Sequence, residues 1–356
     1  MFSSILIAII SIIVLLSLHE FGHFIVAKKC GFRVEEFGIG YPPRLWGKKF
    51  GGTLYSINLI PFGAHVRIPE AEGEESRNKP RWKRMLVLLG GVVSFWIIAF
   101  ILLTAVFKMG APQAVSDEEA GLLVDPKVQV LAVLPDSPAG EAGLRSGDVI
   151  KEFSIGDSRF SINKIKEVQD LTQEYKGGEV GLTIERGKEV IAVSLVPRVS
   201  YPEDEGPMGV SLVRTAEKSY SWLQAPLKGA EATWNLTYGV VAGWGSIISG
   251  LLQGKGLPKG VQFVGPVGIG ALISQAAQVG INYFLQFIAM ISVYLAIFNL
   301  LPIPALDGGK LLFLAIEKIK GGAINRRVEE NVTVTFFLLL IILMIWVTIK
   351  DIGRLF

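Results

Sequence analysis

The chain has 356 residues, of which half are apolar and 19% are charged, and its mean hydropathy is +0.46. Soluble globular chains usually carry about 25% charged residues, so this composition argues against a disordered chain and against an ordinary cytosolic enzyme. The net charge of +3 is too small for the electrostatic footprint of a nucleic-acid-binding protein. A single cysteine, Cys30, excludes an intrachain disulfide and a cysteine-built zinc site.

Four apolar blocks predict four membrane-spanning helices. A helix needs about 20 mainly apolar residues to cross a hydrocarbon core of about 30 Å. The blocks cover residues 5–26, 85–107, 281–301 and 332–349. The first block has no basic leader and no small-residue cleavage site, so we interpret it as a helix and not as a signal peptide.

The distribution of basic residues predicts the orientation of these helices. Residues 28–84 contain twelve Lys or Arg and six Asp or Glu, which favours a cytoplasmic location. The long segment after the second block, roughly 113–230, then lies outside, because long domains cross the membrane largely regardless of their charge.

In the outward segment the long apolar blocks give way to short strand-like runs, which predict a small β-rich domain over residues 113–200. Its pattern indicates strands and one amphipathic helix, with Gly187 in the turn of a hairpin. The predicted elements are a strand at 128–133, a short helix at 138–143, a helix at 163–175, and strands at 180–184 and 190–196.

A linker and interfacial amphipathic helices are predicted over residues 201–260. Residues 197–207 are rich in turn-forming residues. Trp222, Trp234, Tyr238 and Trp244 follow, and such aromatic side chains favour the membrane interface. We therefore expect helices lying on the outer leaflet here, although ordinary packing between the β-rich domain and the membrane would produce the same pattern.

The first apolar block contains an H-E-x-x-H motif at residues 19–23. Residues four apart share one helix face, so His19 and His23 can bind one cation, with Glu20 beside it as a general base. Ionisable groups inside a spanning helix each cost about 2.5 kcal/mol or more if unpaired. The cluster therefore predicts a bound Zn²⁺, which suits nitrogen ligands, and metal-assisted peptide hydrolysis.

A catalytic zinc needs a third protein ligand, and two residues are candidates. Asp307 follows the third block in a segment that Pro302 and Pro304 exclude from a helix, and it is expected at the same depth as His23. His65 lies in the cytoplasmic loop. The depth argument favours Asp307, whose alternative role is that of a helix N-cap.

Residues 53–68 alternate in polarity and predict a β-hairpin. Placed beside the zinc, its edge could pair with an unwound substrate strand. A surface hairpin without that role is the alternative.

These motifs resemble those of known families. The run at 137–150 resembles the PDZ domains of bacterial envelope proteases, which accept an extended peptide as an added strand; a closed spacer is the alternative. Together, the H-E-F-G-H run and the N-x-x-P-x-P-x-L-D-G-G run at 299–309 resemble the site-2 protease family, the intramembrane zinc metalloproteases. The likeness covers nearly the whole chain, and the PDZ-like insert between the second and third helices resembles that of the bacterial regulators of envelope stress, in a single-PDZ form.

The resemblance implies a polytopic α-helical membrane protein with an inserted PDZ domain. The halves of the membrane part would be residues 1–112 and 261–356. The resemblance further implies zinc on His19, His23 and Asp307, Glu20 as the base, and Asn299 near the substrate backbone. The enzyme would sit in a bacterial inner membrane, with its active site toward the cytoplasm and its PDZ domain outside. Its partners would be membrane lipid and single-pass transmembrane substrates, such as a pre-trimmed anti-sigma factor or a remnant signal peptide.

Two motifs depart from the family pattern. The second block has G-G-V-V-S at 90–94 where the family often has G-P-x-x-N, which weakens any substrate-holding role for that helix. The chain also has G-A-H-V at 63–66 where relatives often have G-G-Y-V, which leaves His65 open as a modulator or a stray ligand.

Two other classes of protein are compatible with parts of the pattern. One is a membrane scaffold whose PDZ domain binds envelope peptides while the metal is only structural. The other is a metal transporter, which would need polar residues on several helices; the second and fourth blocks have almost none.

Overall fold

The computed structural model describes residues 2–69, 79–118, 124–134, 136–187, 189–202, 205–256 and 264–355. Parts of three predicted segments, residues 70–78, 119–123 and 257–260, lie outside this description. The chain divides into two compact units, a helical unit of Met1–Val106 with Leu223–Phe356 and a β unit of Phe107–Trp222.

The helical unit is built mainly from long helices. In chain order these are α1 (Phe2–Lys29), α2 (Arg81–Met109), which continues into the β unit, α5 (Gln224–Leu252), α6 (Pro266–Val279), α7 (Ile281–Leu300), α8 (Asp307–Lys320) and α9 (Arg326–Leu355). Four helices among the described residues are long and apolar enough to cross a membrane: Leu6–Lys29, Arg81–Met109, Ile281–Leu300 and Arg326–Gly353. The four predicted spanning helices are thereby confirmed.

Between α1 and α2 the chain forms a small sheet from β1 (Glu36–Phe50) and β2 (Thr53–Arg67). The prediction of a self-paired hairpin over residues 53–68 is wrong, because residues 36–39 lie between residues 54–57 and residues 64–67. Gly38 permits this arrangement: a Cβ there would overlap the His65 ring and lie 2.7 Å from Oγ of Ser56. Among the described residues, the outer segments of this sheet are residues 44–50 and 64–67.

The β unit contains one seven-stranded sheet. Its elements are β3 (Ala111–Ala114), β4 (Val124–Val133), α3 (Pro138–Glu141), β5 (Val149–Ile155), β6 (Ser158–Ser161), α4 (Ile165–Glu174), β7 (Val180–Arg186), β8 (Glu189–Leu195) and β9 (Val210–Lys218). The strand order is β3-β9-β4-β5-β7-β8, with β6 paired to β5. The predicted strands, both helices and the hairpin around Gly187 are confirmed.

The predicted end of the β-rich domain at residue 200 is wrong. Strand β9 lies beyond it and pairs with β4 from Val210 opposite Val133 to Glu217 opposite Val124. The turn-rich residues 197–207 therefore connect β8 to β9 and are not an interdomain linker. Local composition marks a turn, but the strand that follows is recognised only from its distant partner.

Helix α5 also differs from the prediction of several helices lying on the membrane surface. It is one helix of 29 residues. Its Gly229 abuts Thr104 of α2, with the Thr104 nitrogen 2.9 Å from where a Cβ would be, and Nε1 of Trp96 donates to Oγ1 of Thr237 at 3.2 Å. The earlier α5 residue, Gly229, contacts the later α2 residue, and the later α5 residue, Thr237, contacts the earlier one. Helix α5 therefore runs antiparallel to α2 and packs along its side.

Candidate metal centre

Helices α1 and α2 cross closely because glycines face each other at the contact. A Cβ on Gly22 would meet the carbonyl oxygen of Gly90 and lie 2.8 Å from Cβ of Ser94. A Cβ on Gly90 would lie 2.6 Å from a methyl group of Val26. Small residues allow spanning helices to approach in this way, and the approach brings α2 against the H-E-F-G-H segment.

One face of α2 holds the two imidazoles in place. Nδ1 of His23 donates to the carbonyl oxygen of Val87 at 2.8 Å, which leaves a lone pair on Nε2. A Cβ on Gly91 would overlap the His23 ring, so only glycine fits beside it. The ring of His19 stacks on Phe95 with centroids 4.5 Å apart.

Asp307 is presented by a segment that leaves the helical conformation after α7. Leu301 is extended, as expected before Pro302, and α8 begins at Asp307. A Cβ on Gly308 would overlap the Leu301 carbonyl oxygen, and one on Gly309 the Ile303 carbonyl oxygen. The two glycines thus allow α8 to start tightly against the proline-containing turn.

The three side chains converge. Oδ2 of Asp307 lies 3.3 Å from Nε2 of His19 and 3.3 Å from Nε2 of His23, and the two Nε2 atoms are 3.3 Å apart. Both histidines are buried. A tetrahedral Zn²⁺ with bonds of about 2.0–2.1 Å separates its ligand atoms by about 3.3–3.4 Å. The observed triangle therefore matches the dimensions of a zinc site.

The chemistry of the three atoms also fits a cation. With the His23 proton on Nδ1, its Nε2 is an acceptor, and it faces another imidazole nitrogen and a carboxylate oxygen. Oδ2 of Asp307 is buried, with no hydrogen-bond partner among the described residues. Nε2 of His23, the facing nitrogen of His19 and the Asp307 carboxylate are therefore suited to binding one cation.

The side chain of Asp307 does not cap helix α8, which was its alternative role. The N-cap residue of α8 is Leu306, without a side-chain capping bond, and Asp307 is the first helical residue. Its carboxylate faces the histidines instead.

Glu20 lies on α1 between the two histidines, on a side that faces the small sheet. Burial and then the negative charge of Glu20 raise the pKa of Tyr41, a β1 residue. Gly63 of β2 packs on Leu16, one helical turn before Glu20, with 3.2 Å from its Cβ position to Cδ1 of Leu16. The carboxylate and the sheet therefore border the same space.

The other two candidate residues lie apart from the triangle of His19, His23 and Asp307. His65 is in the sheet, where its Nδ1 lies 3.0 Å from the Gly40 carbonyl oxygen and its ring stacks on Tyr41. Asn299 is in the last turn of α7, where Nδ2 donates to the Leu295 carbonyl oxygen at 3.0 Å. His65 does not belong to the metal-competent group among the described residues.

Sequence reasoning missed the supporting residues Val87, Gly91 and Phe95. A signal for them exists in the paired glycines at 90–91, since small residues on a spanning helix indicate a close helix contact. The sequence does not show that the contact is with the H-E-F-G-H segment.

Comparison with known proteins agrees with this geometry. Residues 7–343 match the model of peptidase family M50. The chain belongs to peptidase family M50. A protein of Clostridium perfringens described as a zinc metalloprotease is 35% identical over 98% of both chains. The regulator of sigma-E protease RseP of Escherichia coli is 28% identical over 98% of both chains, and the zinc metalloprotease RasP of Oceanobacillus iheyensis is 29% identical over 96% of this chain and 97% of its own.

This M50 protein is accordingly a zinc metalloprotease, and its four apolar helices make it a membrane protein. The resemblance to the site-2 protease family and the expectation of Zn²⁺ are confirmed at the level of the family.

Proposed function

We propose that His19, His23 and Asp307 hold the zinc ion and that Glu20 is the general base of an intramembrane endopeptidase. The observation that carries this proposal is the triangle of two imidazole nitrogens and one carboxylate oxygen with 3.3 Å sides. Bound there, zinc would act as a Lewis acid toward the scissile carbonyl and lower the pKa of a coordinated water.

The protein's own groups have distinct tasks in this reaction. The Glu20 carboxylate takes a proton from the attacking water and passes it to the leaving amide nitrogen. The Val87 carbonyl and the Phe95 ring hold the imidazoles in fixed orientations, so that no side chain must reorganise during the reaction.

The proposed substrates are transmembrane segments of single-pass membrane proteins. A peptide bond inside an intact helix is shielded by its hydrogen bonds and side chains, so the segment must unwind locally before cleavage. The edge at residues 64–67 follows Gly63, which packs on Leu16 of α1, one helical turn before Glu20. An unwound segment can add to this edge as a strand and stay extended next to the metal centre.

Asn299 is proposed to contact the substrate backbone. One hydrogen of its amide group is used within α7 by the bond to Leu295. The contact with substrate would therefore use its carbonyl oxygen or its second amide hydrogen.

A pre-trimmed anti-sigma factor and a remnant signal peptide are the proposed substrate types. The protease relative in E. coli is named a regulator of sigma-E. The proposed location is a bacterial inner membrane, with the metal centre toward the cytoplasm, because the segment that joins α1 to α2 is rich in basic residues.

The decisive test replaces Glu20 by Gln in the full-length protein. Glu20→Gln should retain about one zinc per chain and lose cleavage of a membrane-embedded reporter by at least about 100-fold. Glu330→Gln, the same exchange at an exposed position of α9, serves as the control and should cleave normally. Undiminished cleavage by Glu20→Gln would reject the mechanism.

For the β unit we propose capture of an extended peptide, as in PDZ domains, and not a closed spacer. A cavity of about 450 Å³ lies between α4 and β9. Val168 and Thr172 line it from the helix, and Val210 and Leu212 line it from the strand.

The strand side of this groove has a backbone edge that no other described strand covers. Among the described residues, strand β3 pairs with residues 215–218 of β9. The Arg214 carbonyl accepts from Val115 on that side, whereas the Gly209 carbonyl accepts from Leu134 on the β4 side. Because bonding direction alternates along a strand, the backbone groups of Val210 and Leu212 point into the groove and can pair with a peptide.

Filling the groove tests this second proposal. Gln169 lines the cavity, and Asp170 is exposed on the same helix but does not line it. In the full-length protein, Gln169→Trp should weaken binding of an extended fluorescent peptide library, and Asp170→Trp should not. Equal binding by both variants and by wild type would contradict a peptide-binding groove.

A further inference from the structure

The elements of the metal centre are also connected by an ion pair that lies away from the metal. Nη1 of Arg84 on α2 lies 3.3 Å from Oε2 of Glu317 on α8, and Nε of Arg81 lies at 4.0 Å from the same oxygen. Glu317 is buried, and its other oxygen accepts from the Ile324 backbone N–H at 3.3 Å. Nε of Arg84 is buried as well and has no hydrogen-bond partner among the described residues. The pair is thus largely shielded from water.

The position of Arg84 on α2 is significant. Arg84, Val87, Gly91 and Phe95 are spaced by three or four residues and therefore share one helix face. Along that face, Phe95 contacts His19, and Val87 and Gly91 contact His23. Arg84 extends the same row of contacts to α8.

The position of Glu317 on α8 mirrors this arrangement. Asp307 begins the helix, and Leu314 and Glu317 follow on the same face; both are buried. One end of α8 thus carries the carboxylate toward the histidines, and the other end is attached to Arg84. The first contact is with α1 and the second with α2, so together they restrict where α8 lies and how it is rotated relative to both helices.

From this arrangement we infer that Arg84 and Glu317 are positioning residues, which set the location of the Asp307 carboxylate relative to the two imidazoles. The inference rests on the proposed zinc site. Without the pair, α8 remains connected to α7 but is held less firmly against α2. The two imidazole nitrogens and the Asp307 oxygen then no longer hold their 3.3 Å spacing before zinc binds.

A zinc-affinity measurement on the purified full-length protein tests this role. Competition with a chromophoric chelator reports affinity, and the thermal midpoint of the metal-free protein reports stability. Glu317→Gln and Arg84→Gln should each bind zinc about tenfold more weakly, the size of effect that outer groups have on metal sites. The exchanged variant with Arg84→Glu and Glu317→Arg should recover much of the loss.

Controls separate this role from general stability. Arg326→Gln removes an exposed ion pair with Glu330 at the start of α9 and should leave zinc affinity unchanged. A purely structural role would lower the thermal midpoint of Glu317→Gln and leave its zinc affinity at the wild-type value, which would overturn the inference.

Two further variants keep the outcomes distinguishable. If Glu317→Gln does not fold, Arg84→Lys, which keeps the charge but not the fork-shaped donor, should still bind zinc more weakly than wild type; wild-type affinity would overturn the inference. If Asp307→Ala binds zinc as tightly as wild type, the proposed ligand set fails, whatever Glu317 does.

Discussion

Nδ1 of His23 lies 2.8 Å from the carbonyl oxygen of Val87 and donates a hydrogen bond to it. A backbone carbonyl in the middle of a spanning helix normally accepts from the residue four positions later in its own helix. Here it also accepts from a neighbouring helix, and the bond selects the tautomer of His23 that can bind a metal. The relationship depends on the close approach of α1 and α2, so residues at their contact should control metal binding.

Gly91→Ala should therefore weaken zinc binding by about tenfold or more. Its Cβ would overlap the His23 ring and push the imidazole away from Asp307. Zinc affinity and cleavage of a membrane-embedded reporter measure the effect. Gly239→Ala is the matched control, because it lies in α5 with nothing within 4 Å of its Cβ position. Normal zinc affinity in Gly91→Ala would show that a methyl group at position 91 does not displace the His23 ring.

The third ligand is tested by comparing Asp307→Ala with His65→Ala. Asp307→Ala leaves two imidazoles, and since a catalytic zinc needs three protein ligands, the purified variant should lose most of its zinc and its activity. His65→Ala should keep about one zinc per chain, because His65 lies in the sheet beside Gly40 and Tyr41. Elemental analysis of both proteins decides the matter, and zinc loss in His65→Ala would speak against the assignment.

Helix α5 should be in contact with lipid hydrocarbon on its outer face. Residues 232–254 contain no charged side chain, and the side chains of Trp234, Tyr238, Val241 and Ile248 are exposed beside the side that contacts α2. Since Thr237 contacts Trp96 of a spanning helix, this face lies at membrane depth.

Spin labels provide the measurement. In a Cys30→Ser background, a label at Val241→Cys should be accessible to oxygen and protected from a water-soluble nickel reagent. Val93→Cys, exposed on α2, is the lipid reference, and Asp157→Cys, in the turn between β5 and β6, is the aqueous reference. If the label at Val241→Cys behaves like the one at Asp157→Cys, α5 lies outside the hydrocarbon.

The β unit should depend strongly on one buried ion pair. Asp148 is 1% exposed, and its Oδ1 and Oδ2 accept from Arg186 at 2.7 and 2.8 Å. Arg186→Gln leaves this buried carboxylate without its counter-charge, with the Arg145 backbone N–H still donating to it at 2.8 Å, which should cost up to about 3–5 kcal/mol. Thermal unfolding of the full-length protein is the measurement. Arg159→Gln, which removes an exposed contact of 3.9 Å to Glu152, should change stability by less than about 1 kcal/mol.

Local features of the sequence determined much of the fold and of the candidate site. Spanning helices follow from uninterrupted apolar blocks, and the pairing of His19 with His23 follows from helical spacing. The unwound segment before Asp307 follows from its prolines. Each of these depends on residues that are close in the chain, which is why the pattern alone predicted them.

Only the tertiary structure decided the relations between distant segments. In the structure Asp307, and not His65, lies beside the two histidines. Residues 36–39 lie between residues 54–57 and 64–67 of β2, and β9 pairs with β4. The physical reason is that such contacts depend on which surfaces fit together in space. A glycine at a helix crossing indicates that another element packs there, and so does a strand whose edge lacks a hydrogen-bonded neighbour. Which element it is depends on packing over the whole unit.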